Sequence, residues 1–244
     1  MTRTRAIRYL SPSPTQGGAI SFEDIVLQIP VLLFSIVAHE YAHAEAAYRQ
    51  GDNTAYMLGR LTLNPMKHID PFMTVLLPAV LIATHAPFVL GAAKPVPVNP
   101  RNYRKYLRGD IIVSLAGIAT NLALVVVSVL AFALVGVLGR GAPALAPSLV
   151  LLQKMSFYGM SLNLGLAFFN VIPIPPLDGS HVLKHFLPPE AGMRFRRLYG
   201  LGIIPILLVV WLLPGVLNTF LWPANVLLRL ALRLVGGFAL PGLS

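Results

Sequence analysis

Long stretches without charge alternate along this chain with short polar segments. Uncharged, largely apolar runs cover residues 71–93, 111–139, 155–177 and 198–228, and a further stretch, residues 25–38, is interrupted only by Gln28 and Ser35. Each of the first four matches or exceeds the roughly 20 residues that an α-helix needs to cross a bilayer. The run boundaries predict a first span over residues 22–48, a second over 111–138 and a third over 149–171. Residues 198–213 form a further predicted span, and after Pro214 and Gly215 turn the chain, residues 216–235 return or lie in the membrane interface. Run 71–93 is different. Pro71, Pro78, Pro87 and Gly91 interrupt it, which predicts a re-entrant or extended segment that dips in and returns. The expected fold is an all-α polytopic membrane protein of about five to six transmembrane helices, with that segment between the first helix and the central ones. One membrane-embedded domain takes up residues 1–244, its first 20 residues a polar tail.

Composition agrees with the pattern. The chain is 56% hydrophobic and only 11% charged, with a mean hydropathy of +0.71, which excludes an ordinary soluble domain. A net charge of +10 would suggest nucleic acid in a soluble protein. Here Lys and Arg sit in short segments between apolar runs, which is an orientation signal, so the expected partners are the lipid bilayer and membrane-embedded protein, with no nucleic acid. The absence of Cys removes thiolate ligands and leaves His, Asp and Glu for any metal. Arg3, Arg5 and Arg8 precede the first apolar run as they would in a signal peptide, but "SPSPTQGG" and the pair Glu23 and Asp24 intervene. The segment is therefore read as a retained span.

The first span ends in "HEYAHA", residues 39–44. Residues four apart on a helix point the same way about 6 Å apart along its axis, so His39 and His43 can share one metal ion, and Glu40 lies beside that face. H-E-x-x-H on a helix is the pattern of zinc hydrolases in which the Glu is the general base. Ionisable groups at the end of an apolar span are costly, and function is the default reason to find them there. The alternative is a set of polar residues at a frayed helix end.

A catalytic zinc takes three protein ligands. Glu23 and Asp24 lie more than about 20 Å along the same helix, Glu45 projects from another face, and Asp52, Asp70, Asp110 and Glu190 sit in polar, Arg-rich or Pro-rich surroundings. Asp178 stands apart, in "NVIPIPPLDGSH", where prolines prevent a regular helix and Gly179 permits a turn. His181, His185 and His68 compete with it on chemistry, Asp178 has an alternative as a helix cap, and His85 reads as structural.

Five blocks in this order, "HEYAHA", "GDNTAYMLGRLTLNPMKHIDP", "KPVPVNP", "VSLAGIATN" and "NVIPIPPLDG", resemble the site-2 proteases, zinc intramembrane metalloproteases, in their compact bacterial form without a PDZ or CBS domain. The resemblance covers most of the chain and implies one Zn2+ held by His39, His43 and Asp178, with Glu40 activating water. One departure is Ile118, where the family usually has Pro.

These ligands impose a topology. His43 and Asp178 must lie on one side of the membrane, and that parity closes only if residues 71–93 do not cross. Lys94, Arg101, Arg104, Lys105 and Arg108, with Lys184, Arg194, Arg196 and Arg197, then fall inside, against Arg140 and Lys154 outside. Arg3, Arg5 and Arg8 run against the rule. The expected location is the cell membrane, with the active site near its cytoplasmic side. The expected reaction is hydrolysis of a membrane-spanning protein substrate. Asn121 and Asn170 are candidates to bind the substrate backbone or the oxyanion, or else to bridge packed spans. The edge of Val96 to Asn99 is a candidate to hold an unwound substrate as an added strand. Two rival readings are a metal-ion transporter, whose polar residues would repeat along several spans, and a non-catalytic membrane scaffold.

Overall fold

The computed structural model describes residues 22–71, 76 and 94–243. The polar tail, most of run 71–93 and His85 lie outside the described residues. Among the described residues every regular element is helical: α1 Phe22–Gln50, α2 Thr54–Met57, α3 Tyr106–Gly141, α4 Ala146–Val171, α5 Asp178–Leu183, α6 Pro189–Arg197, α7 Ile204–Leu212 and α8 Pro214–Val235.

Three of these are long and apolar enough to cross a membrane: α1, α3 and residues 215–238, which contain most of α8. A bent pair, Pro189–Leu201 with Ile204–Leu212, raises the count to four if it is one span. The expected five to six spans are therefore not reached among the described residues, and the sequence shows why. α4 has the length, 26 residues, but Gln153, Lys154, Asn163 and Asn170 dilute its apolarity. Predicted span 198–213 is broken at Gly202, whose φ of 58° leaves the helical region, and α7 alone has nine residues, about 14 Å of helix.

The chain forms two compact units. Residues 22–35, 121–172 and 204–243 make the first, residues 36–71, 94–120 and 173–203 belong to the second, and α1 and α3 each contribute to both. In the first unit Phe132, Met160, Leu232, Val235 and Leu240 form a buried core around the packing of α4 and α8. Two polar side chains are fully satisfied inside it. Gln153 donates to the carbonyls of Phe132 and Phe238 and accepts from the Leu240 N–H. Asn163 accepts from Asn121 at 2.8 Å and donates to Ser35 Oγ at 2.9 Å. In a low-dielectric interior such satisfied groups fix which helix faces meet.

In the second unit the end of α1 is rich in Ala. Ala44 packs on Ala55 and Val96, and Ala47 on Tyr103 and Val113, so small side chains bring the returning chain close to the helix. α1 stops at Gly51, whose φ of 110° favours glycine. Asp52 follows, fully buried, and its carboxylate accepts from Thr54, from the Asn99 N–H at 2.6 Å and from the Asn102 amide at 2.8 Å. Through Asp52 the end of α1 is tied to the extended stretch 94–99.

Candidate metal centre

His39 and His43 leave the same face of α1, and their Nε2 atoms are 3.0 Å apart. Asp178 opens α5 after the proline-broken turn, and its Oδ2 lies 3.2 Å from His39 Nε2 and 3.3 Å from His43 Nε2. Three ligand atoms about 2.0 to 2.1 Å from a tetrahedral zinc would themselves stand about 3.3 Å apart, so the triangle has the dimensions of a zinc site. Among the described residues this is the group of His, Asp and Glu able to hold a metal ion. His181, His185 and His68 are not part of it.

Protonation supports the same function. His43 Nδ1 is 2.7 Å from the Val113 carbonyl. A carbonyl only accepts, so Nδ1 carries a hydrogen, and Nε2 is the nitrogen left to face His39 and Asp178 and to serve as a ligand atom. Asp178 Oδ2 is buried and has no hydrogen-bond partner. An orphaned carboxylate oxygen facing two imidazole nitrogens is what a cation would satisfy. The residues present fit a zinc ion.

α3 supplies the support. Asp110, Val113, Ser114 and Gly117 follow the i, i+3, i+4, i+7 pattern of one helical face. Val113 orients His43. At Gly117 a Cβ would stand 2.5 Å from His39 Cε1 and from His43 Nε2, so glycine keeps clear the space beside the ligand triangle. Asp110 holds the far end of α5, with Lys184 Nζ and His185 Nε2 each 2.6 Å from its Oδ2. The polar, Arg-rich surroundings of Asp110 in the sequence predict a solvated surface acid, yet it is 2% exposed. The spacing of Asp110 and Gly117 along α3 is visible in the sequence, but nothing there says which helix face meets the ligands.

Glu40, next to the first ligand, accepts a hydrogen bond from the Val96 N–H at 2.8 Å. Stretch 94–99 therefore lies against the Glu, and the candidate strand edge is partly occupied. The Asn99 N–H goes to Asp52, and its side-chain oxygen caps Arg101. Asn121 and Asn170 turn their amide nitrogens to Asn163 and to the Leu166 carbonyl, so both engage helix partners.

Outside the spans, the donors around Asp52 overcome the effect of burial and hold its carboxyl below the usual carboxylate range. Burial, with Asp110 nearby, pushes the Tyr103 phenol up. Burial and then the Lys184 ammonium hold His181 below its ordinary value.

Three comparisons bear on this geometry. The chain is 38% identical over 193 residues to "Putative zinc metalloprotease YwhC" of Bacillus subtilis (strain 168), a match covering 79% of this chain and 82% of that protein. It is 33% identical over 186 residues to the similarly named Rip2 of Mycolicibacterium smegmatis, covering 75% and 67%. To Rip2 of Mycobacterium tuberculosis (strain H37Rv) it is 31% identical over 194 residues, covering 78% and 68%. No family model matches, and no solved structure matches significantly.

Proposed function

This chain belongs to the zinc-metalloprotease family of YwhC and Rip2, and from that premise we propose that it is an intramembrane protease of the site-2 type. The observation that carries this reading is the convergence of His39 Nε2, His43 Nε2 and Asp178 Oδ2 within 3.3 Å of one another, beside Glu40. Those three side chains would hold one Zn2+, as the donor set and the orphaned Asp178 oxygen allow. Zinc in such a site supplies Lewis acidity, which polarises the scissile carbonyl and acidifies water.

The residues of the chain do the rest. Glu40 accepts the proton of the attacking water and returns it to the leaving amine. Val113 keeps the His43 ring in the required tautomer through its carbonyl. The apolar lengths of α1, α3 and residues 215–238, each sufficient to cross a membrane, support a reaction carried out within the bilayer. The substrate class is then a membrane-spanning protein segment, unwound locally to expose its peptide bond, and the centre faces the cytoplasmic side of the cell membrane by the distribution of Lys and Arg.

The test uses purified protein in detergent or nanodiscs with a single-span model substrate. Wild type and Glu40→Gln should each hold one zinc, and only wild type should cleave. Cleavage by Glu40→Gln at the wild-type rate, or a wild type that binds no zinc, would overturn the reading.

A further inference from the structure

The amide donors of Asn121 and Asn170 are directed to helix partners. A donor of another kind stands in the unit that carries the ligands. His181 lies three residues after Asp178 on α5, a spacing that puts both side chains on one helix face, within electrostatic reach of Asp178 and His43.

Its surroundings fix its chemistry. His181 Nδ1 is 3.1 Å from Lys184 Nζ, and that ammonium is held 2.6 Å from Asp110 Oδ2. An ammonium has only hydrogens to offer, so Nδ1 must accept, and the proton of the neutral ring sits on Nε2. A doubly protonated ring would set its own N–H against the ammonium. Tyr199 packs edge-on at 4.9 Å between ring centroids and shares a 2.7 Å hydrogen bond with Ser180, so the ring is held from a second direction. The side chain is 35% exposed, while Asp110 and Lys184 behind it are 3% and 8% exposed. Among the described residues no protein group meets its Nε2.

We propose that His181 is a catalytic hydrogen-bond donor, its Nε2–H binding the substrate oxygen that gains negative charge when water adds to the scissile carbonyl. Asp110 and Lys184 are positioning residues that fix the donor tautomer. The ring keeps its proton throughout, and no bond of the ring is made or broken. The inference rests on the protease reading above, and its test separates the two.

His181→Phe keeps a ring and loses the donor, whereas His181→Gln keeps an N–H. Each is measured beside wild type for zinc content, kcat and KM on the single-span substrate, and Kd for a phosphinic peptide whose tetrahedral oxygen mimics the charged one. In His181→Phe zinc should stay stoichiometric, kcat should fall about 100-fold to 1,000-fold with KM within about twofold, and the phosphinic peptide should bind correspondingly more weakly. His181→Gln should recover at least about tenfold of that loss. An unchanged kcat and Kd in His181→Phe overturns the proposal, as does loss of its zinc, which would make the ring part of the metal-holding set. The tautomer is read without substrate by 15N NMR of labelled histidine. Wild type should show Nε2–H, and Lys184→Met should shift population toward Nδ1–H. A wild type that cleaves nothing defeats the protease reading, whereas Nδ1–H on His181 in wild type defeats this one.

Discussion

The backbone N–H of Val96 donates to Glu40 Oε2 at 2.8 Å, joining two residues 56 positions apart. The extended stretch 94–99 is thereby registered against the carboxylate we assign as base. A hydrogen bond to a charged group contributes about 1.5 to 3 kcal/mol, and each 1.4 kcal/mol in a barrier is about tenfold in rate. Val96→Pro deletes this donor, so kcat should fall by about tenfold or more with zinc retained. Val96→Ala keeps the donor and loses packing on Ala44 and Ala55. It should lower the melting temperature and leave kcat per folded molecule near wild type. Equal kcat in wild type and Val96→Pro would show that the contact does not orient Glu40.

Gly117→Ala tests the helix behind the ligands. Alanine is the better helix former by about 1 kcal/mol, so local propensity alone predicts a more stable α3. Its Cβ, however, would stand 2.5 Å from His39 Cε1 and His43 Nε2, and the two rings would have to move. Zinc content after dialysis against a weak chelator should drop well below one per chain while the helical circular-dichroism signal persists. Full zinc retention would mean that α3 does not approach the ligands this closely.

Much of the centre was legible in the sequence because it rests on side-chain chemistry. His39, Glu40 and His43 follow from helix periodicity, and Asp178 follows from being an acid in an apolar, proline-broken stretch. What was not legible acts through backbone or through missing atoms. The Val113 carbonyl, the Val96 N–H and the absent Cβ of Gly117 carry no signature of their own, and their roles exist only once α3 and stretch 94–99 are packed on α1. Asp110 was misread for a related reason. Its partners Lys184 and His185 are more than 70 positions away, so locally it resembled any solvated acid. The helix boundaries followed the apolar runs closely, 22–48 expected against Phe22–Gln50 and 149–171 against Ala146–Val171, although α4 is too polar to count among the candidate spans.

Asp178→Asn should weaken zinc binding strongly, since a neutral amide is a poor ligand for a cation. Competition with a chromophoric chelator measures the affinity. Unchanged zinc stoichiometry and affinity would remove Asp178 from the ligand set.

Asp52 ties the end of α1 to stretch 94–99, and its carboxyl is held below the usual range. The unfolded value is about 3.9. A folded value below it means that the carboxylate stabilises the fold fully above that pH, and that this contribution disappears as pH falls through the folded value. Asp52→Asn replaces an oxygen acceptor by a donor among groups that already donate. It should cost about 2 to 3 kcal/mol at neutral pH. The difference from wild type should narrow on acidification below about pH 4, as read from thermal melts across pH. A gap that stays constant across that range would mean that the charge of Asp52 is not what stabilises this corner.

The last prediction concerns the two flanks of run 71–93. The Lys94 N–H donates to the His68 carbonyl at 2.8 Å, and Arg60 donates to the Lys94 carbonyl at 2.8 Å. Residues before and after the run are thus bonded to each other, within the unit that also carries His43 and Asp178. An odd number of crossings between the flanks would separate them by most of a bilayer, about 30 Å, which a hydrogen bond cannot bridge. The chain has no Cys, so single replacements Lys67→Cys and Arg104→Cys can be labelled cleanly in oriented vesicles with an impermeant maleimide. Both should label from the same side, and by the distribution of Lys and Arg that side should be the cytoplasmic one. Labelling from opposite sides would break the bonded flanks and, with them, the shared depth of His43 and Asp178 on which the proposed metal centre depends.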